Sequence, residues 1–248
     1  MAKITSIVIL FFCILNLSAA EVDKKLHNEC LYPTILVAHY DNEYFGSGVV
    51  VRSEKVKNDL YKNVFLSCGH ITSLSKNDYT VYYYLYENWS KVKEIKKYSA
   101  TFYAINIDSD ISVGVFYSDR EIPTAKVEFN EQLFIGTEVF RIGCGLGDDP
   151  RLDIGKITGF KKNLRTSIHT LPGDSGSPVF YNYKVIAIMV KISTSHNTPV
   201  FGTSYAVPVQ KFKDWNVKLD FAWDHSKKIP ELPFQYLNFK NNYEEIKK

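Results

Sequence analysis

From Tyr32 onward, apolar runs of a few residues alternate with polar turn residues at close intervals. In the first half the runs are Thr34 to Tyr40, Phe45 to Val51, Asn63 to Ser67, Tyr79 to Tyr86 and Ile111 to Phe116. β-Branched and aromatic side chains crowd them, and such runs bounded by Gly, Asn, Asp and Ser read as strands. Glu87-Asn88-Trp89-Ser90 supplies a turn from the tyrosine-rich run into Lys91 to Ala104. Convincing helical periodicity is missing from this half. The polar stretch Tyr117 to Lys126 reads as the linker between two halves.

The second half repeats the rhythm without repeating the sequence. Strands are expected within Val127 to Phe134, Glu138 to Ile142, Leu152 to Phe160, Thr166 to Thr170, Pro178 to Phe180, Lys184 to Lys191 and Gly202 to Val207. The pattern predicts an all-β fold, and two antiparallel barrels suit it better than one sandwich. Pro208 is placed to open a short C-terminal helix, with Val209, Phe212 and Trp215 at helical spacing. The expected organisation is a signal over residues 1–20, an N-terminal barrel over 21–125, a C-terminal barrel and helix start over 126–215, and an extension of unassigned role over 216–248.

The N-terminus changes the picture of where the chain works. Lys3, the apolar core Ile7 to Ile14 and the small residues Ser18-Ala19-Ala20 have the order of a secretory signal. No later run approaches the roughly 20 apolar residues of a membrane span. The mature chain is therefore expected to be secreted, or periplasmic in a bacterium, with no stable span after signal removal. Its formal charge, +3 with the signal attached, is spread without a dense basic block, so nucleic acid is not an expected partner. Cys13 leaves with the signal, and Cys30, Cys68 and Cys144 cannot all pair internally. A Cys30–Cys144 bridge would tether the N-terminal segment to the second half; the alternative is three free buried thiols.

Candidate chemistry centres on Pro172-Gly173-Asp174-Ser175-Gly176-Ser177-Pro178. A serine in such a turn presents its hydroxyl outward beside free backbone N–H groups, which suits attack on a carbonyl. Generic turns of this composition are common for φ/ψ reasons alone, so the reading needs a base and an orienting carboxylate elsewhere. His70 ends the apolar segment Val64 to Ile71, and Asp110 enters the apolar run Ile111 to Phe116, where its charge requires a partner. Asp108 is the alternative carboxylate. The six histidines show no paired ligand spacing, so neither a metal nor any other cofactor is expected.

Taken together, Ser67-Cys68-Gly69-His70, Asp110-Ile111-Ser112-Val113 and Gly173-Asp174-Ser175-Gly176-Ser177-Pro178 resemble the trypsin-like serine peptidases, in the order His, Asp, Ser. Gly46-Ser47-Gly48-Val49-Val50, Ile142 to Gly147 and Gly202 to Pro208 look like the branch holding HtrA-type and glutamyl peptidases rather than digestive trypsins. The resemblance covers about residues 30 to 215. It implies two six-stranded antiparallel β-barrels and endopeptidase activity on polypeptide substrates through an acyl-enzyme. Ser175 would be the nucleophile, His70 the general base and then acid, Asp110 the orienting carboxylate, and Gly173 and Ser175 the oxyanion-hole donors.

Two departures from the family pattern matter. No activation sequence stands between Glu21 and Tyr40, so Asp174, if buried, needs a cation other than a new N-terminus; Arg141 and Arg165 are the candidates. The strand after the nucleophile carries the bulky Ala187-Ile188-Met189-Val190-Lys191, which narrows a specificity pocket and places His169 and Lys191 near it. That pair suits an acidic substrate side chain, or simply faces solvent. The competing functions are a catalytically silent, peptidase-like binding protein and an α/β-hydrolase esterase. The second is opposed by Ser177 and Pro178, which do not fit a Gly-x-Ser-x-Gly elbow. Asn88-Trp89-Ser90 also matches a glycosylation sequon.

Overall fold

The computed structural model describes residues 24–39, 44–57, 59–72, 79–106, 108–195 and 198–209. The signal segment, the extension over 216–248 and most of the expected C-terminal helix lie outside these residues. Pro208 itself ends a strand instead of opening a helix. Its ring sits at the last residue of that strand, opposite Ala187, where the missing N–H is tolerated. The helical turns described are short, the first of them over residues 24–31. Among the described residues no helix is long and apolar enough to cross a membrane.

The first barrel consists of β1 (Thr34–His39), β2 (Phe45–Lys57), β3 (Leu60–Ser67), β4 (Tyr79–Glu87), β5 (Lys91–Asn106) and β6 (Ile111–Ser118). These close in the order β1-β2-β3-β6-β5-β4 through antiparallel pairs, with β4 returning to β1. Phe65 of β3 shows how the interior is filled. Its ring packs against Phe102 and Phe116 at centroid separations of 5.3 and 5.9 Å, and the residue opposite it on β6 is Gly114. A Cβ on Gly114 would overlap that ring. Fully burying an aromatic of this size contributes about 1.5–3 kcal/mol.

The second barrel is built from β8 (Glu138–Gly143), β9 (Arg151–Phe160), β10 (Leu164–Thr166), β11 (Pro178–Tyr181), β12 (Lys184–Ser195) and β13 (Thr198–Pro208). The order β11-β8-β9-β10-β13-β12 is closed by the pairing of β11 with β12. A two-residue strand, β7 (Lys126–Val127), adds to β12 in parallel. Of the expected run Val127 to Phe134 only Val127 is in a strand, and Phe134 and Ile135 are exposed. β10 also ends at Thr166 instead of starting there; Ser167 still donates its N–H to the Lys156 carbonyl at 2.9 Å, and its hydroxyl accepts the Lys156 N–H at 2.9 Å.

The barrels meet around β2. Leu36 and Tyr84 of the first barrel bury Cys144 of the second. Cys30, Cys68 and Cys144 are all free and buried. The Cys30 Sγ faces the Tyr183 carbonyl at 3.8 Å, so the Cys30–Cys144 bridge is not formed. Burial pushes all three thiols up in pKa and keeps them protonated.

Candidate active site

Ser47 of β2 connects the first barrel to the reactive turn of the second. Its N–H donates to the Ser175 carbonyl at 2.6 Å, and its Oγ donates to the Gly173 carbonyl at 2.9 Å. The same hydroxyl accepts the Cys144 N–H at 2.8 Å. Inside the turn, Ser177 N–H and Oγ both donate to the Asp174 carbonyl, at 3.0 and 2.6 Å. Gly173 and Gly176 have φ of +93° and +88°, which an L side chain adopts only under strain. Carbonyls of this turn are thereby tied down. Among the described residues, the Gly173 and Ser175 N–H groups donate to no acceptor.

Ser175 is half-buried, and among the described residues its Oγ makes a single long contact, 3.5 Å to the Val190 carbonyl. It lines a cleft of 370 Å³ together with His70, Thr170, Leu171, Pro172, Val190 and Lys191. Lys191 is at the edge of that cleft, with its Nζ 5.3 Å from the Tyr205 ring centroid. His169 is exposed and lies outside the cleft lining, while its carbonyl accepts Arg141 Nη2 at 3.2 Å.

β3 and β6 bring the histidine and the carboxylate together. Their ends pair through Ser67 and Ser112, and Ser112 Oγ donates to the Cys68 carbonyl at 2.9 Å. His70 opens the 3₁₀ turn after β3, while Asp110 precedes β6 in a left-handed conformation with φ of 54°. Its carboxylate faces His70 Nδ1 at 2.9 and 3.0 Å and accepts the His70 backbone N–H at 2.8 Å. Asp110, not Asp108, is thus the carboxylate at the histidine. The unusual backbone at Asp110 is worth about 1–3 kcal/mol of strain, which three contacts to one residue hold in place.

The electrostatics follow from this geometry. For His70, burial works against the charged ring, but the Asp110 hydrogen bond and the Cys68 contact more than offset it, and the pKa is raised. For Asp110, burial works upward and is outweighed by His70 and two backbone N–H groups, so its pKa is lowered. The Cys68 Sγ lies 3.7 Å from His70 Nε2. The sequence motif placed this cysteine near His70 without indicating which ring nitrogen it meets.

Asp174 is fully buried, and Arg141 is its main cation. The Arg141 guanidinium, itself fully buried, joins Nη1 to Asp174 and Nη2 to Asp153. Arg151 adds Nη2 to Asp174 at 3.4 Å and Nε to Asp153 at 2.8 Å, and the Leu171 N–H donates to Asp174 at 2.7 Å. Burial pushes the Asp174 carboxyl up against these partners. Arg165, the other candidate, is exposed and donates to the Thr158 carbonyl at 3.1 Å.

A family model described as "Trypsin-like peptidase domain" matches residues 46–188, a span that holds His70, Asp110 and Ser175. No curated protein matches the chain. Among solved structures, the serine endoprotease from Yersinia pestis superposes with a TM-score of 0.62 at 17% identity, covering 82% of this chain and 67% of that one. At that identity the likeness concerns the fold. With more than half of its length inside the family model, the chain belongs to the trypsin-like peptidase family, the trypsin-like serine peptidases.

Proposed function

We propose that this chain is an exported serine endopeptidase acting through Ser175, His70 and Asp110. The observation that carries the reading is a half-buried serine hydroxyl on the same cleft as a histidine that a carboxylate orients through Nδ1, with the Gly173 and Ser175 N–H groups donating to no acceptor among the described residues. A serine hydroxyl is a poor nucleophile near neutral pH. Asp110 accepts a hydrogen bond from Nδ1–H, which fixes the tautomer and leaves the Nε2 lone pair to take the Ser175 proton as Oγ attacks the scissile carbonyl.

The charge that develops on the carbonyl oxygen needs fixed donors, and the Gly173 and Ser175 N–H groups supply them. One such donor is worth about 2.7–4 kcal/mol in the transition state. His70 then returns its proton to the leaving amine. Water repeats the sequence on the acyl-enzyme with the same groups, and Ser175 is restored.

Residues 1–20 act as the export signal in this reading, 21–125 and 126–215 form the two barrels with the helix start, and 216–248 follow them. Lys191 selects substrate by its charge at the cleft edge. The discriminating experiment compares the mature chain with Ser175→Ala. A fluorophosphonate probe labels the first and not the second, and peptides are cleaved internally only by the first. Absence of labelling in the folded wild-type chain would leave a peptidase-like binding protein as the function.

A further inference from the structure

Ser47 is fully buried, and its hydroxyl is shared between the reactive turn and the loop that follows β8. The Oγ donates to the Gly173 carbonyl at 2.9 Å and accepts the Cys144 N–H at 2.8 Å. Cys144 caps the turn Gly145–Gly147 and accepts the Gly147 N–H at 3.1 Å. From that turn the Leu146 N–H reaches back and donates to the Pro172 carbonyl at 2.7 Å.

Both peptide units that flank Gly173 are therefore held from outside the reactive turn, and both holds run through Ser47. In a trans peptide the C=O and N–H groups point to opposite sides. With the Pro172 carbonyl facing Leu146, the Gly173 N–H must point away from the loop. Gly173 has a φ of +93°, and a residue without a side chain gives little resistance to a neighbouring peptide turning over. The direction of its N–H is thus set by these bonds and not by its own backbone. The loop stands close enough to hold it: a Cβ on Gly173 would lie 2.9 Å from the Cys144 carbonyl oxygen and 3.0 Å from the Leu146 nitrogen. The Ser175 N–H belongs to a differently held peptide, whose Asp174 carbonyl accepts the Ser177 N–H and Oγ.

We propose that the Ser47 hydroxyl is a positioning group for one half of the oxyanion hole, keeping the Gly173 N–H turned toward the substrate carbonyl by clamping the Gly173 carbonyl and the Leu146 loop together. This rests on the peptidase reading for its consequence, but not for the clamp itself. The position calls for one group that donates and accepts at once, as a hydroxyl does. Alanine there would leave the Gly173 carbonyl and the Cys144 N–H without this partner.

The test compares the full mature chain with Ser47→Ala, Ser47→Cys and Ser118→Ala. Ser47→Cys keeps the volume with a weaker donor, and it carries the comparison if alanine leaves the seam too loose to fold. Ser118→Ala removes a buried hydroxyl of the first barrel that holds Asn63 and the Arg120 carbonyl, a loss of stability away from the cleft. Hydrogen exchange resolved by NMR reads the clamp whether or not the chain turns over. In Ser47→Ala the Leu146 amide should exchange about tenfold faster relative to the Ser177 amide, and in Ser118→Ala that ratio should not change. In peptide cleavage Ser47→Ala should lower kcat by roughly 10- to 100-fold, short of the roughly 10²–10³ that deleting one donor costs, because the released N–H still meets the oxyanion part of the time. KM and the acid limb of the pH profile should stay in place, since His70 and Asp110 are untouched. Ser47→Cys should fall between wild type and Ser47→Ala, and Ser118→Ala should keep the wild-type kcat. An unchanged Leu146-to-Ser177 ratio, or a folded Ser47→Ala with wild-type kcat, overturns the proposal. A raised ratio in a protein whose wild-type form neither cleaves peptides nor takes a fluorophosphonate upholds the clamp and rejects the peptidase reading alone.

Discussion

Arg141 and Asp174 face each other inside the second barrel with neither side chain exposed to water. Asp174 immediately precedes Ser175, so whatever fixes its carboxylate also fixes the backbone on which the Gly173 and Ser175 N–H groups are aligned. The cation comes from β8, within the fold. A chain beginning at Glu21 is therefore expected to be active without further cleavage, and acetylating its α-amino group should leave kcat/KM unchanged. Activity that appears only after clipping, or is lost on acetylation, would show that Asp174 depends on a terminus instead.

Removing the guanidinium leaves Asp174 buried against the weaker Arg151 contact at 3.4 Å. Arg141→Met is expected to cost about 3–5 kcal/mol, the usual range for an uncompensated buried charge. Arg141→Met/Asp174→Asn should recover part of that loss. The two denaturant midpoints decide it: a double variant no more stable than Arg141→Met would mean that the cost is packing and not charge.

The sequence made part of this site legible and hid part. His70, Asp110 and Ser175 are readable because each stands where an apolar run meets small or polar residues, and runs of that kind fix strand ends. Arg141 was readable as one of two candidates; choosing it over Arg165 requires knowing which strand face points inward. In β8, Val139 and Arg141 share the buried face, whereas Arg165 alternates outward between buried Leu164 and Thr166. The parallel addition of β7 to β12 could not be read, since two residues carry no periodicity. Nor could the Cys68–Nε2 contact, which depends on a side-chain rotamer within a turn.

The His70–Asp110 pair sets a pH profile. His70 must be neutral to accept the Ser175 proton, so kcat/KM rises as pH passes through its pKa. Because that pKa is raised, the acid limb should lie above the ordinary histidine value of about 6.5. Asp110→Asn removes the charge that favours imidazolium, so the limb moves to lower pH. The plateau should fall by about 10⁴, since an amide no longer enforces the Nδ1–H tautomer. Stability has the opposite dependence on the carboxylate: Asp110, with its lowered pKa, contributes above its unfolded value and stops contributing as pH falls through the folded one. An unmoved limb in Asp110→Asn would remove Asp110 from the site.

Two glycines with the same backbone conformation separate strain from collision. Gly136 and Gly176 have φ of +92° and +88°, but a Cβ on Gly136 meets nothing within 4 Å. On Gly176 it would overlap the Ser47 carbonyl oxygen and the Ser67 hydroxyl, the seam between the barrels. Gly136→Ala should cost about 1–2 kcal/mol of left-handed strain with activity retained. Gly176→Ala should abolish labelling of Ser175 and destabilise the chain by more than that. Equal thermal shifts in the two variants would contradict the close packing of Ser47 against the reactive turn.

Lys191 shares the cleft beside Ser175 with His70, and the other lining groups, Thr170, Leu171, Pro172 and Val190, are neutral. A cation at the edge of a partly apolar cleft favours a substrate carboxylate by Coulomb attraction, an effect that salt screens over about 10 Å at 0.1 M. In a peptide library the mature chain should therefore favour an acidic side chain beside the scissile bond, more so at low ionic strength, and Lys191→Glu should reverse the preference toward basic peptides. Labelling of Ser175 by a neutral fluorophosphonate should be the same in both proteins, because Lys191 acts on the substrate's charge and not on the nucleophile. His169, exposed and outside the cleft lining, should alter neither result when replaced by alanine. A library profile unchanged in Lys191→Glu would assign selection to the shape of the cleft, where Val190 and Leu171 leave room for an apolar side chain instead.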